Sequence, residues 1–231
     1  MSGQIIAVCG VDTDIGKTVA TGVMAKALRA AGINAMTQKL IQTGCQGFSE
    51  DIARHRQIMG IDLTDDDRGG LTCPYVLGTP CSPPLAARLD GIIVEVSRLR
   101  RAARDLAARH QCVLLETAGG LFAPLTEDIF TIDYLNNESY PIFLVTNFRV
   151  GSINHSIAAL EALHQRRMRL AALVFNHYPA QEAAIVADTK GVLLTYLARK
   201  SMDAAVVDLW PLTEYRDEAE LQRLGEQLAG I

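Results

Sequence analysis

Gly10-Val11-Asp12-Thr13-Asp14-Ile15-Gly16-Lys17-Thr18 follows directly on the apolar run Ile5-Ile6-Ala7-Val8-Cys9 and opens a segment of helical composition. The stretch ends in Gly-Lys-Thr, as the phosphate loop G-x-x-x-x-G-K-[ST] does. Val11 stands at the first glycine position of that pattern, and Gly10 lies one residue earlier. A strand, a glycine-containing turn and a helix in this order are typical of the first βα turn of a nucleotide-binding α/β sheet.

The loop predicts a site for nucleotide phosphates. Backbone N–H groups of residues 14–18 can bind phosphate oxygens, because they lie at the N-terminus of the predicted helix. Lys17 can neutralise the terminal phosphates, and the Thr18 hydroxyl can bind Mg²⁺. The carboxylates of Asp12 and Asp14 repel phosphate, so we expect them to face a metal, a base or an amine substrate instead.

Further apolar runs alternate with helical segments along the chain. Runs of four to six apolar residues are typical of strands buried on both faces, and alternation with helices indicates βαβ units. The predicted fold is therefore α/β, with a doubly wound, mostly parallel sheet, helices on both faces and a P-loop NTPase (Rossmann-like) topology, in a single domain over residues 1–231. The remaining predicted strands are 34–38, 112–115, 142–145, 170–175 and 204–209, and the predicted helices are 18–31, 94–110 and 153–167.

The segment from Ile41 to Asp90 differs from the rest of the chain. It holds many glycines and prolines and the acidic run Asp65-Asp66-Asp67. We expect a helix near Glu50–Met59 and no strong strand, in a long excursion of the kind that often carries function.

Composition excludes several classes of protein. The chain is 49% hydrophobic and 21% charged, and its net charge is −4, so it lacks the basic surface that bulk binding of nucleic acid requires. No secretory signal or apolar stretch of about 18 residues is visible, which predicts no membrane association. The five cysteines form no C-x-x-C pair, and we expect free thiols in a cytoplasmic protein.

Two further sequence features are expected at the same edge of the sheet. Glu116 begins Glu-Thr-Ala-Gly-Gly after the third predicted strand, where a carboxylate can hold Mg²⁺ and glycines let the backbone approach phosphate. Lys39 ends the second predicted strand, so its side chain is expected in the same crevice. Taken alone, Lys39 is better explained as a solvated lysine at a strand end, and Asp51 as a helix cap or dipole partner.

Taken together, these motifs resemble the dethiobiotin synthase family. The family's Gly-Thr-Asp-Thr-x-x-Gly-Lys-Thr loop corresponds to residues 10–18, so the displaced glycine is shared with the family. The resemblance runs from about residue 4 to residue 177, and Trp210-Pro211-Leu212 is similar to a C-terminal turn that contacts nucleotide in the family. The other matching motifs are Lys39-Leu40-Ile41-Gln42-Thr43-Gly44, Glu116-Thr117-Ala118-Gly119-Gly120, Cys81-Ser82-Pro83-Pro84-Leu85-Ala86-Ala87, Gly151-Ser152-Ile153-Asn154-His155 and Val174-Phe175-Asn176.

The chain departs from the family pattern at a few positions. Leu40 replaces a proline, Thr117 replaces a glycine, and Arg149 stands where lysine is common. The C-terminal quarter, including residues 190–208, also differs. These departures fall more on the expected adenine contacts than on the phosphate chemistry.

The resemblance implies an ATP- and Mg²⁺-dependent cyclo-ligase of biotin biosynthesis. Family members join CO₂ to 7,8-diaminopelargonic acid and close a ureido ring, releasing ADP and phosphate. They are homodimers with the active site at the subunit interface. The expected cofactor is therefore Mg²⁺ with ATP as a substrate, and the expected partners are the diamine carboxylic acid, CO₂ and a second copy of the chain.

The resemblance also implies roles for individual residues. Lys17 and Lys39 are expected to be catalytic, stabilising carbamate and phosphoryl oxygens. Thr18, Asp51 and Glu116 are expected to bind the metal. The expected nucleotide contacts are Asp14, Ile15, Gly16, Lys17, Thr18, Val19, Asp51, Glu116, Thr117, Ala118, Gly119, Asn176, His177 and Pro211. The expected substrate contacts are Thr13, Asp14, Lys39, Thr43, Gly151, Ser152, Ile153 and Asn154, the last four at a helix N-terminus suited to a carboxylate.

Two alternatives remain open at this point. One is another P-loop ATP-dependent amide-forming ligase of cofactor biosynthesis, against which the Lys39 and Gly151–His155 motifs argue. The other is a partitioning-type ATPase switch. That class has a second lysine early in its phosphate loop, where this chain has Val11-Asp12-Thr13.

Overall fold

A computed structural model describes residues 2–215 and 217–231. The strands in these residues are β1 (Gln4–Gly10), β2 (Ala35–Lys39), β3 (Gln42–Thr43), β4 (Val76–Leu77), β5 (Cys112–Gly120), β6 (Ile142–Thr146), β7 (Leu170–Asn176) and β8 (Ala205–Leu209). The α-helices are α1 (Lys17–Ala30), α2 (Glu50–Met59), α3 (Asp65–Arg68), α4 (Pro83–Leu89), α5 (Val96–Ala107), α6 (Thr131–Glu138), α7 (Ser152–Gln165), α8 (Ala183–Arg199) and α9 (Glu218–Ala229).

Six strands form a parallel sheet in the order β2-β5-β1-β6-β7-β8. Alternate residues of β1 enter two separate apolar layers. Cys9 packs in the layer that includes side chains of α5, α6, α7 and α8, and Val8 packs in the layer that includes α1, α2 and α9. Helices therefore cover both faces, and the predicted doubly wound α/β fold is confirmed.

The predicted strands and helices correspond closely to the observed ones. The helix expected over Glu50–Met59 has those bounds, since Ser49 caps it through a hydrogen bond from the Ile52 N–H and Gly60 ends it in the left-handed conformation. No strong strand was expected in the segment 41–90, and the structure has only two-residue strands there. These strands, β3 and β4, pair in parallel as a separate small sheet, and they are too short to give a recognisable apolar pattern.

The strand register brings the predicted site residues together. Lys39, the last residue of β2, lies beside Glu116 of β5, and Glu116 lies beside Val8 of β1. β5 continues to Gly120, so Glu116 lies within the strand rather than at its end. Because paired residues of neighbouring strands point to the same face, the side chains of Lys39 and Glu116 emerge together.

Candidate active site

The phosphate loop, residues 10–18, connects β1 to α1. Gly16 has φ +90° and precedes the first turn of α1, and a Cβ atom there would lie 2.2 Å from Asn176 Nδ2. Glycine is therefore required both for the left-handed backbone and for the close approach. Asn176 Nδ2 donates to the Ile15 carbonyl over 3.0 Å, which ties the end of β7 to the loop.

Lys17 lies inside this loop, with its Nζ atom 2.9 Å from the Asp12 carbonyl oxygen. Burial lowers its pKa, and the nearby charge of Lys39 lowers it further. The Asp12 carboxylate, which cannot face phosphate, instead accepts hydrogen bonds from the Arg149 guanidinium and from the Thr13 N–H. Both side chains of the Asp12–Arg149 pair are about 40% exposed.

The three predicted metal ligands meet at the start of α1. Thr18 Oγ1 lies 2.9 Å from Glu116 Oε1 and 3.1 Å from Asp51 Oδ1. One hydroxyl proton can serve only one of these two acceptors at a time. The cluster thus presents three hard oxygen atoms, one from each residue, a ligand set that suits Mg²⁺.

The Lys39 ammonium group lies among the same oxygen atoms. Its Nζ atom is 2.5 Å from Asp51 Oδ2 and 2.7 Å from Glu116 Oε1. Burial acts to lower the pKa of Lys39, but the two carboxylates outweigh it and raise this pKa to about 12. Burial likewise acts to raise the pKa of Glu116, and Lys39 with His55 holds it well below its usual range. The cluster of Thr18, Lys39, Asp51 and Glu116, called the crevice below, therefore already holds a cation between two carboxylates.

His55 is the residue that the sequence analysis missed. Its side chain is completely buried, and its Nε2 atom lies 2.8 Å from Glu116 Oε2. It gave no signal as a metal ligand because no second histidine or cysteine stands at ligand spacing. Its position four residues after Asp51, on the same face of a helix, was the available signal.

The other predicted substrate residues lie on the phosphate loop, on β3 and at the start of α7. Thr13 and Asp14 are exposed on the loop, and Asp14 has φ +54°. Thr43 is half-buried in β3. At the start of α7, Gly151 and Asn154 are exposed, and Gly151 has φ +94°. Ile153 is half-buried. Ser152 is buried, and its hydroxyl donates to Asn147 Oδ1 over 2.6 Å. The first turn of α7 thus presents exposed backbone beside an exposed amide side chain.

The remaining predicted nucleotide contacts fall into two groups. Thr117 is fully buried with its hydroxyl donating to the Val8 carbonyl over 3.4 Å, whereas Ala118, Gly119 and Val19 are half-buried. The rings of His177 and Trp210 stack with their centroids 3.9 Å apart. Together with Pro211, these two residues line a cleft of about 560 Å³. Asn176 Oδ1 accepts from the Tyr178 N–H, so each end of its amide keeps capacity for one more hydrogen bond.

Comparison with known proteins identifies the family. An AAA domain model matches residues 4–210. The chain is 44% identical over 198 residues to an ATP-dependent dethiobiotin synthetase of Pasteurella multocida, covering 86% of this chain and 93% of the relative. It is 42% identical to the corresponding enzyme of Chlorobaculum tepidum, covering 97% of this chain and 94% of the relative. The chain belongs to the ATP-dependent dethiobiotin synthetase family. This membership confirms the resemblance drawn from the motifs and the expectation of an ATP-dependent synthetase.

Solved structures confirm the fold alone. A pNOB8 ParA structure superposes with a TM-score of 0.60 at 12% identity, covering 99% of this chain and 98% of that chain. The MinC:MinD cell division complex of Aquifex aeolicus gives 0.57 at 13% identity, covering 99% of this chain and 97% of that chain. The synthetase relatives, at far higher identity, argue against the partitioning-type ATPase and against a different amide-forming ligase.

Two features are absent from residues 2–215 and 217–231. No helix there is long and apolar enough to cross a membrane. Within the same residues, no group of three or more His, Cys, Asp or Glu side chains is arranged to hold a metal ion. The predicted magnesium ligands are a different kind of set, because one of the three is the Thr18 hydroxyl.

Proposed function

We propose that this synthetase carboxylates 7,8-diaminopelargonic acid with CO₂ and closes the ureido ring of dethiobiotin, with ATP cleaved to ADP and phosphate. We place the reaction in the cytoplasm, which suits the five free cysteines, and assign it to residues 1–231 as one catalytic domain. The observation that carries the proposal is the juxtaposition of Lys39 with Asp51 and Glu116, one side chain away from the phosphate loop. A second buried lysine beside the phosphate loop suits a reaction in which negative charge develops on substrate oxygen atoms.

The phosphate loop supplies the nucleotide half of the site. Backbone N–H groups from Asp14 to Val19 bind the phosphate chain, and Lys17 turns from the Asp12 carbonyl to the terminal phosphates. Ala118 and Gly119 approach from β5. Asn176 and His177 bind the adenine ring together with Pro211, using the unfilled hydrogen-bonding capacity of the Asn176 amide.

Thr18, Asp51 and Glu116 are the residues that would hold Mg²⁺. They fit this ion because all three offer hard oxygen atoms close together, and because a cationic group is already stable among them. When bound, Mg²⁺ supplies charge neutralisation to the phosphate oxygens of ATP.

Lys39 stabilises the oxygen atoms on which negative charge develops. One amine of the substrate adds to CO₂ and loses a proton, giving a carbamate. A carbamate oxygen attacks the γ-phosphorus, the bond to ADP breaks, and a carbamic–phosphoric anhydride results. The second amine then attacks the anhydride carbon, loses a proton and expels phosphate, which closes the ring. Each step increases charge on oxygen, so a compact, fully protonated ammonium is the group required.

The surrounding residues hold the two ends of the diamine carboxylic acid. Thr13 and Thr43 donate hydrogen bonds to the carbamate, and the exposed Asp14 carboxylate binds a cationic amine. In a homodimer, the first turn of α7 from one subunit, formed by Gly151, Ser152, Ile153 and Asn154, binds the distant carboxylate in the site of the other. The N-terminus of this helix favours an anion.

Product analysis tests this proposal. We expect the chain with Mg-ATP, bicarbonate and 7,8-diaminopelargonic acid to release one phosphate for each cyclic urea formed. Omitting the diamine is the control, and it should reduce phosphate release to background. Rapid ATP hydrolysis that does not depend on the diamine would overturn the assignment.

A further inference from the structure

Helix α2 places the side chains of Asp51 and His55 at the crevice. Only Asp51 is a predicted metal ligand. Asp51 and His55 are four residues apart, so they lie one above the other on the same helix face. Asp51 reaches Thr18 and Lys39, and His55 reaches Glu116 from the interior side. Both groups therefore move with one rigid helix.

The contacts of Glu116 are divided between its two oxygen atoms. Oε1 lies near Thr18 Oγ1 and Lys39 Nζ, at 2.9 and 2.7 Å, on the crevice side. Oε2 lies 2.8 Å from His55 Nε2, and both side chains are at most 1% exposed. Because an ionised carboxylate only accepts hydrogen bonds, the Nε2 atom of His55 carries the proton. The Nδ1 atom of His55 has no hydrogen-bond partner among the described residues.

We propose that His55 is a positioning residue that fixes the rotamer of Glu116 and so reserves Oε1 for the metal and for Lys39. The proposal rests on the magnesium site proposed above. Without the Nε2–H donor, Glu116 Oε2 would be buried and unpaired, which is costly for a charged oxygen. The carboxylate would then turn to give both oxygens to the Lys39 ammonium, holding Lys39 away from the carbamate and withdrawing a metal ligand.

Two substitutions separate the hydrogen bond from the volume of the ring. The amide nitrogen of glutamine reaches about as far as Nε2 of histidine, so His55→Gln keeps a donor to Glu116. His55→Leu fills the space without one. Gln57→Leu on the exposed side of α2 is the matched control for adding a leucine to this helix.

Mn²⁺ is the probe, added with ADP and followed by the loss of its free-ion EPR signal. Loss of a hydrogen bond that orients a metal ligand weakens metal affinity by roughly 10–100-fold. We expect that weakening in His55→Leu, together with a fall in kcat for ring closure at little change in the KM for ATP. His55→Gln should regain most of the affinity and of kcat, and Gln57→Leu should match the wild type.

The outcomes distinguish this inference from the proposed function. If Asp51→Asn weakens Mn²⁺ binding but His55→Leu does not, the magnesium site stands and the role of His55 is wrong. If the wild type does not bind Mn²⁺ with ADP, the proposed magnesium site and the role of His55 are both wrong. Should His55→Leu not fold, His55→Asn, whose amide is too short to reach Oε2, takes its place. Equal behaviour of His55→Asn and His55→Gln would also overturn the proposal.

Discussion

Two buried polar networks lie side by side on α2, and they differ in how completely their hydrogen bonds are made. Arg56 binds Asp67 with two hydrogen bonds, of 2.9 and 2.7 Å, and donates to Thr37 Oγ1 over 2.7 Å. Asp67 also accepts from the Thr64 N–H and from the Thr72 hydroxyl, each over 2.7 Å. All three guanidinium nitrogen atoms of Arg56 and both carboxylate oxygen atoms of Asp67 thus have partners, so this pair is already satisfied within the protein.

The neighbouring crevice network is incomplete. Thr18 stands between two acceptors with one proton, and the His55 Nδ1 atom has no partner among the described residues. The comparison teaches that burial and charge alone do not mark a functional site. The network with unfilled hydrogen-bonding capacity is the one that we assign to chemistry, and the saturated one to holding α2 and α3 against β2.

Removing Asp67 should have the largest effect, and it should be on folding. Asp67→Asn leaves the Arg56 guanidinium buried without its counter-charge, which costs about 3–5 kcal/mol of unfolding free energy. Urea unfolding measures this loss. We expect kcat per folded molecule to remain near that of the wild type. A large fall in kcat without loss of stability would contradict the division between the two networks.

Lys39→Ala should lower turnover, which Asp67→Asn should leave near that of the wild type. Loss of the ammonium should lower kcat for ring closure by about 10²–10³-fold, the range found when one preorganised stabilising group is removed. Calorimetry should show ADP binding largely intact, because Lys17 and the loop are unchanged. Lys200→Ala, which removes a half-exposed pair with Glu161, is the control. Unchanged ring closure in Lys39→Ala would remove Lys39 from the mechanism.

A smaller effect should separate the wild type from Asp67→Asn in acid. Burial acts to raise the pKa of Asp67, but Arg56, Thr64 and Thr72 outweigh it and lower this pKa from 3.8 to about 2. The resulting stability, about 2 kcal/mol, is complete above pH 3.8 and is lost as the pH falls through about 2. The stability of Asp67→Asn should fall less steeply over this window, as measured by urea unfolding. If the unfolding free energies of the two proteins fell in parallel with pH, the lowered pKa of Asp67 would be contradicted.

The smallest effect is expected at the surface of the phosphate loop. Asp12 and Arg149 form an ion pair that is about 40% exposed on each side. Exposed pairs contribute at most about 1 kcal/mol, so Arg149→Ala should lower the melting temperature only slightly. A loss comparable to that in Asp67→Asn would show that exposure is a poor guide to the strength of these pairs.

The sequence predicts most of the sheet and the crevice because the signals are local. Apolar runs mark the strands, and the glycine and lysine of the phosphate loop stand within a few residues of each other. Lys39 and Glu116 could be expected to meet because parallel strands end at one edge. His55 and the Arg56–Asp67 pair could not be found in this way, since their partners lie 61 and 11 residues away and depend on how α2 packs. The strands β3 and β4 are too short to carry a pattern.

The most direct test of the proposed mechanism traces one oxygen atom of bicarbonate into the released phosphate. With freshly added ¹⁸O-labelled bicarbonate, Mg-ATP and the diamine, the carbamate oxygen that attacks the γ-phosphorus leaves with the phosphate when the ring closes. Mass spectrometry of the phosphate released in the first turnovers should show one ¹⁸O atom per phosphate, formed together with the cyclic urea. Phosphate that carries no ¹⁸O, because its fourth oxygen comes from solvent, at equal yield of cyclic urea, would contradict the attack of a carbamate on ATP.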